Sequence, residues 1–213
     1  MGERRALPWV AASATAYGVF HHVGVLLSGL GGDGMTTVAD RVDLVTPYVV
    51  LLPAAMALWR NGSQPRVWLA FGIGAVTYVQ GHGIHLAANS IARTAPGEAA
   101  HLWDEVVGHY VWYAGAAIVA ACLVGVLVDD PPRGSIPTYA LAVLVGTTHA
   151  TNSLEGGTAA LGVVVAVVLV VVATRSRARL PHVLLAYGLA TVLLVGYGLW
   201  QGGFPQPSEL GWY

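Results

Sequence analysis

The sequence predicts an all-α, polytopic integral membrane helical bundle with seven transmembrane helices, and three observations predict it. Of 213 residues, 55% are hydrophobic and only 10% charged, where a soluble domain carries about 25% charged residues. Several apolar runs reach about 20 residues, the length that crosses a hydrocarbon core. Turn residues separate those runs at regular intervals. Residues 1–213 therefore read as a single transmembrane domain.

The spans fall at about 8–30, 43–59, 67–92, 104–128, 137–154, 158–174 and 182–200. The first follows a short basic stretch, MGERRALPWV, and could be taken for a signal peptide. Its Gly31-Gly32-Asp33-Gly34 end has no small-x-small cleavage pattern, so a membrane helix is the expectation. Asn61-Gly62-Ser63 with Pro65 ends the second span, and Ala95-Pro96-Gly97 ends the third. Asp129-Asp130-Pro131-Pro132 ends the fourth. Gly156-Gly157 splits the fifth from the sixth, and without that split the 137–174 region would be one broken span.

Charge sets the direction. Every basic residue is arginine. Arg4, Arg5, Arg60, Arg66, Arg133, Arg175, Arg177 and Arg179 fall at one set of span ends, Arg41 and Arg93 at the other. Arginine-rich ends are cytoplasmic, which places the N-terminus inside and the C-terminus outside, in a bacterial-type cell membrane. The outer loops are acidic, with Asp33, Asp40, Asp43, Glu98, Asp104, Glu105 and Glu155. The single Cys122 rules out an intrachain disulfide and a cysteine metal cluster. Net charge is −1, with no basic patch for nucleic acid.

Seven of the eight histidines fall in the outward half, and His182 alone belongs to the arginine side. In GHGIHLAAN, His82, His85 and Asn89 share one helix face at i, i+3, i+7. In HLWDEVVGHY, His101, Glu105 and His109 form a stripe if the helix starts early. In THATNSLEGG, His149 and Asn152 are three apart, with Glu155 on roughly that side. Ionisable groups at such depth are costly unless paired, solvated or coordinated. Imidazole with carboxylate suits zinc, iron or copper better than magnesium or calcium. The expected ligands are His82, His85, His109 and His149, with Glu105. Asp104, Glu105 and Glu155 are candidates for general base, and His21, His22, Asn89, His101 and Asn152 are further candidates.

Each has a plainer reading beside it. Asp104 suits a helix N-cap and Glu105 a first-turn acid. His101 suits a headgroup-level loop, His21-His22 points two ways around its helix, and His82, His85 and His109 could form a structural network. The glycines suit close helix packing, the tryptophans interfacial belts, and Arg175–Arg179 a topological anchor. Trp112, Tyr110 and Tyr113 could line a substrate entrance.

The leading expectation is a zinc-dependent membrane hydrolase acting on a lipid or other hydrophobic molecule near the outer leaflet. Three alternatives stay open. A dinuclear iron or copper site would oxidise, hydroxylate or desaturate a lipid, though no repeated HxxHH-type cluster is present. A haem would pair histidines across helices for electron transfer. A metal or proton transporter would use the same groups as a path, although no inverted repeat is evident. A retinal receptor is excluded by the absence of lysine.

Overall fold

A computed structural model describes residues 6–27, 30–31, 34, 36–178 and 180–212. Arg4, Arg5, Gly32, Asp33 and Arg179, used above, lie outside the described residues. Those described form helices and turns with no β-sheet. Seven helices are long: α1 Leu7–Leu27, α3 Thr46–Asn61, α4 Pro65–Thr94, α6 His109–Asp129, α7 Ile136–Glu155, α8 Ala159–Arg175 and α9 Pro181–Gln201. Two short ones, α2 Val38–Asp43 and α5 Glu98–His101, lie between them. A π-helical stretch, Leu102–Gly108, runs from α5 into α6.

Local chemistry fixes the breaks. Thr37 caps α2 in a reciprocal box with Asp40, and Ser135 caps α7 in the same way with Thr138. Prolines open α3, α4, α7 and α9 within their first two positions, where the missing N–H costs nothing. Gly62 and Gly202 end α3 and α9 in the left-handed region, at φ 70° and 67°. The Gly156-Gly157 turn separates α7 from α8, with Gly157 at φ 61°, so the 137–174 region is two helices.

Among the described residues three segments are long and apolar enough to cross a membrane: Val38–Asn61, Glu98–Asp129 and Pro181–Gln201; Ala159–Arg175 is apolar but shorter. α4 and α7 are long but less apolar, and they carry the buried polar residues His82, Thr148 and Ser153. Large apolar side chains meanwhile face outward, among them Leu52, Leu69, Val76, Val164, Val192 and Leu199, too many for a surface in water.

The bundle has two apolar cores. One unites α1, α3, α4 and α6 around Ala54, Leu58, Tyr78, Val119 and Val126. The other unites α7, α8 and α9 around Ala166, Leu180, Ala190 and Leu194. Bonds between turns tie each end. At one end Asn61 Nδ2 donates to Asp129 Oδ2 at 3.1 Å. At the other Arg93 pairs with Asp40, and Gln206 Nε2 donates to the Glu155 carbonyl at 2.6 Å.

α4 and α6 approach most closely. A Cβ on Gly81 would lie 2.1 Å from the Trp112 nitrogen, and one on Gly115 would lie 2.3 Å from the Tyr78 nitrogen. Gly74 and Gly81 on α4 thus interlock with Gly108 and Gly115, each pair seven apart. This backbone contact sets the histidines of α4 against the start of α6.

Candidate functional site

Trp112 is the centre of the site. It is 5% exposed and so belongs to no interfacial belt, unlike the exposed Trp59, Trp103, Trp200 and Trp212. His82 meets it edge-on with ring centroids 4.4 Å apart, His21 stacks on it at 5.4 Å, and His85 and His109 tilt against it at 5.5 and 5.8 Å. His85 and His109 approach each other at 4.4 Å. Four histidines from α1, α4 and α6 therefore surround one indole.

Three of the four are backed by carboxylates. His85 Nδ1 lies 2.5 Å from Asp104 Oδ1, and His82 Nε2 lies 3.4 Å from Asp43 Oδ1. His109 Nδ1 donates to the Glu105 carbonyl at 3.2 Å, with Glu105 Oε2 at 3.4 Å. Gln206 Nε2 fixes that carboxylate from the far end of the chain, donating to Oε2 at 2.9 Å. Asp104 is buried and is no exposed N-cap. The π-helical stretch explains how neighbours serve different partners: with more residues per turn than an α-helix, Asp104 reaches across to α4 while Glu105 stays beneath His109. It also breaks the α-helical stripe expected for His101, Glu105 and His109, and His101 is exposed.

Hydrogen bonding in the site is incomplete. His21 Nδ1 donates to the Tyr17 carbonyl at 2.7 Å, leaving its Nε2 buried without a partner. Tyr78 Oη, His82 Nε2, His85 Nδ1, Asp104 Oδ1 and Trp112 Nε1 likewise have no partner in hydrogen-bond geometry among the described residues. Each such group costs about 1–3 kcal/mol when left unpaired, so their concentration around one indole marks a place suited to outside polar atoms. Among the described residues no three His, Cys, Asp or Glu side chains form a ready metal-binding group.

The other candidates lie elsewhere. His149 Nε2 donates to the Gly162 carbonyl at 3.0 Å and its ring meets Tyr187, which places it in the α7–α9 half, apart from the cluster. His22 Nε2 donates to Thr148 Oγ1 at 3.0 Å, since that hydroxyl already gives its proton to the Leu144 carbonyl. Adjacent His21 and His22 thus serve two different neighbours. Glu155 Oε2 accepts from the Ser208 amide at 3.3 Å, and its backbone shares Gln206 with Glu105. Asn89 is half-buried on α4, and Asn152 Nδ2 is buried without a partner. By sequence Trp112 is only a residue that could line a substrate entrance, and Asp43 and Gln206 have no place in the site. Asp43 sits three residues beyond the capping Asp40, a weak signal, and nothing local marks Gln206.

No protein-family model, no curated protein and no solved structure matches this chain.

Proposed function

We propose that this chain is a seven-span membrane protein with its arginine-bearing end in the cytoplasm, and that the cluster around Trp112 is a metal-dependent hydrolytic site near the outer face. The observation that carries the reading is the set of three adjacent imidazoles each backed by a carboxylate: His82 with Asp43, His85 with Asp104, His109 with Glu105. Histidine ligands to metals characteristically engage a carboxylate or carbonyl through the other ring nitrogen, which fixes orientation and raises basicity. His85 and His109 then offer their Nε2 atoms, and His82 its Nδ1, to zinc, with iron or copper as the competing metals. These rings must turn to bring the three nitrogens to one point, since among the described residues they form no ready metal-binding group.

A zinc held there would supply a water of lowered pKa, about 7. Glu105, half-buried and held by Gln206, would take a proton from the water that attacks an ester or amide carbonyl and give it to the leaving oxygen or nitrogen as the bond to carbon breaks. Trp112 and the neighbouring tyrosines present aromatic faces to an apolar substrate. Asp104 and Asp43 orient their histidines and take no part in proton transfer to substrate.

A second reading has its own support. His82, His85 and His109 each engage a separate carboxylate, and among the described residues no metal-binding group is ready-made, which suits a chain of proton-transfer pairs in a carrier.

Elemental analysis and an optical spectrum on detergent-purified protein separate the readings. We expect near-stoichiometric zinc in the wild type, lost in His85→Ala and His109→Ala and retained in His149→Phe. Two irons or copper would move the chemistry to oxidation, and a Soret band would identify haem. Metal-free protein after purification in zinc-supplemented buffer would overturn the metal reading in favour of proton transfer.

A further inference from the structure

Between the two apolar cores lies a cavity of about 430 Å³, within the roughly 300–1,000 Å³ of ordinary ligand pockets. α6 packs on α3, α4 and α8 and faces α1 and α7 across this space. Its walls are aliphatic, with Ala14, Val119, Ala120, Leu123 and Ala186 among them. One wall, from Leu7 to Tyr17, is ~15 Å of helix at about 1.5 Å per residue. The inner end is closed by Tyr17, Tyr78 and Tyr113, which separate it from the cluster around Trp112.

The opposite end has different chemistry. Arg133, Thr138 and His182 line it there, beside Pro8 and Pro132. Arg133 is exposed, and its guanidinium makes no hydrogen bond or ion pair among the described residues. The neighbouring Asp129 is committed to Asn61. His182 is 7% exposed, stacked on Tyr139, and neither ring nitrogen has a partner. A buried imidazole with two unmet hydrogen bonds and an unpaired guanidinium thus flank the mouth of an apolar tube. Inside, Ser13 donates to the Val50 carbonyl and His149 to that of Gly162; Tyr78 Oη at the deep end has no partner among the described residues but is neutral, whereas Arg133 brings a positive charge to the mouth.

We propose that this cavity binds a single-chain amphiphile with an anionic head, carboxylate or phosphate, its chain running inward to Tyr78 and its head held by Arg133 and His182. A single apolar chain suits a cavity of this volume with an aliphatic wall ~15 Å long at about 1.5 Å per residue. This binding site is distinct from the histidine cluster and does not rest on the metal reading.

The test uses full-length protein in nanodiscs of zwitterionic lipid, with the fluorescent C18 fatty acid cis-parinaric acid as probe. Competitors are hexadecanoate, hexadecyl phosphate, hexadecylamine and hexadecane. We expect one saturable site, displaced by either or both anions and at least about ten-fold less well by the amine or alkane, a difference of about 1.4 kcal/mol. Which anion displaces better identifies the head. Ala14→Phe and Ala120→Phe fill the tube from opposite walls, so each should weaken binding at least ten-fold. Val164→Phe, on the outward surface, should not. Arg133→Gln should erase the preference for anions over the amine. Equal displacement by all four competitors in the wild type would overturn the proposal, and this arm needs no variant to fold. So would unchanged binding in both filled variants.

Discussion

His149 shows how a half-buried histidine is held by one hydrogen bond. Its Nε2–H reaches the Gly162 carbonyl and ties α7 to α8, and a net bond of this kind contributes about 1 kcal/mol. His149→Phe should therefore lower thermal stability in detergent by that amount and leave metal content unchanged. Loss of metal in this variant would return His149 to the ligand set. Asp104 behaves in the opposite way. It is buried against His85, so Asp104→Ala leaves an imidazole facing a void and should cost about 1–3 kcal/mol. Asp104→Asn keeps the volume and should recover most of that stability, yet not the metal affinity, since an amide orients the ring but does not raise its basicity. Differential scanning fluorimetry with zinc titration reads both effects. Spacing put His82 and His85 on one face of α4, while His109 reaches them from α6. It could not separate His149, which packs in the other half of the bundle. Asp43 and Gln206 join through contacts distant in sequence, from the end of α2 and from the tail beyond α9, which no local pattern records.

At the scale of elements, the α4–α6 contact is where sequence becomes site. A methyl on Gly81 or Gly115 would meet backbone atoms of the facing helix at 2.1 and 2.3 Å, and backbone cannot rotate aside as a side chain can. Gly81→Ala or Gly115→Ala should separate the helices and cost 1–3 kcal/mol or more, about the penalty of overpacking. Separation there also moves His82 and His85 away from Trp112, so metal binding should fall together with stability. Gly83→Ala is the control. Nothing lies within 4 Å of its Cβ, and alanine favours a helix over glycine by up to about 1 kcal/mol. Equal melting temperatures in Gly81→Ala and wild type would refute this account of the crossing. The helices and their breaks were legible because prolines, capping residues and left-handed glycines mark them. The π-helical stretch was not, since HLWDEVVGHY carries no residue that forbids an ordinary α-helix. Its wider turn follows from partners on both sides, Asp104 toward α4 and Glu105 toward Gln206.

For the whole molecule, hydropathy and the proposed seven-span reading give different numbers of crossings. Among the described residues three segments qualify by length and composition, while α4 and α7 combine buried polar side chains with outward faces that carry Leu69, Val76 and Val143. α4, with 30 residues, is ~45 Å long at about 1.5 Å per residue, more than a hydrocarbon core of about 30 Å. The two counts predict different sidedness for the same loops. With seven crossings, Ser63, Gly134 and Ser176 lie together on the cytoplasmic side, and Gly97 and Ser208 lie outside. With three, Ser63 and Gly97 share one side and Gly134 the other. Because Cys122 is the one native cysteine, a Cys122→Ala background allows single cysteines at these five positions. A membrane-impermeant maleimide applied to intact cells should label Gly97→Cys and Ser208→Cys, and the other three only after the membrane is opened. Labelling of Ser63→Cys together with Gly97→Cys would reduce the crossings to three and separate His82 from the membrane altogether. The mirror pattern, with Gly97 and Ser208 protected, would keep seven crossings but turn the cluster toward the cytoplasm, where a hydrolase would meet inner-leaflet substrates.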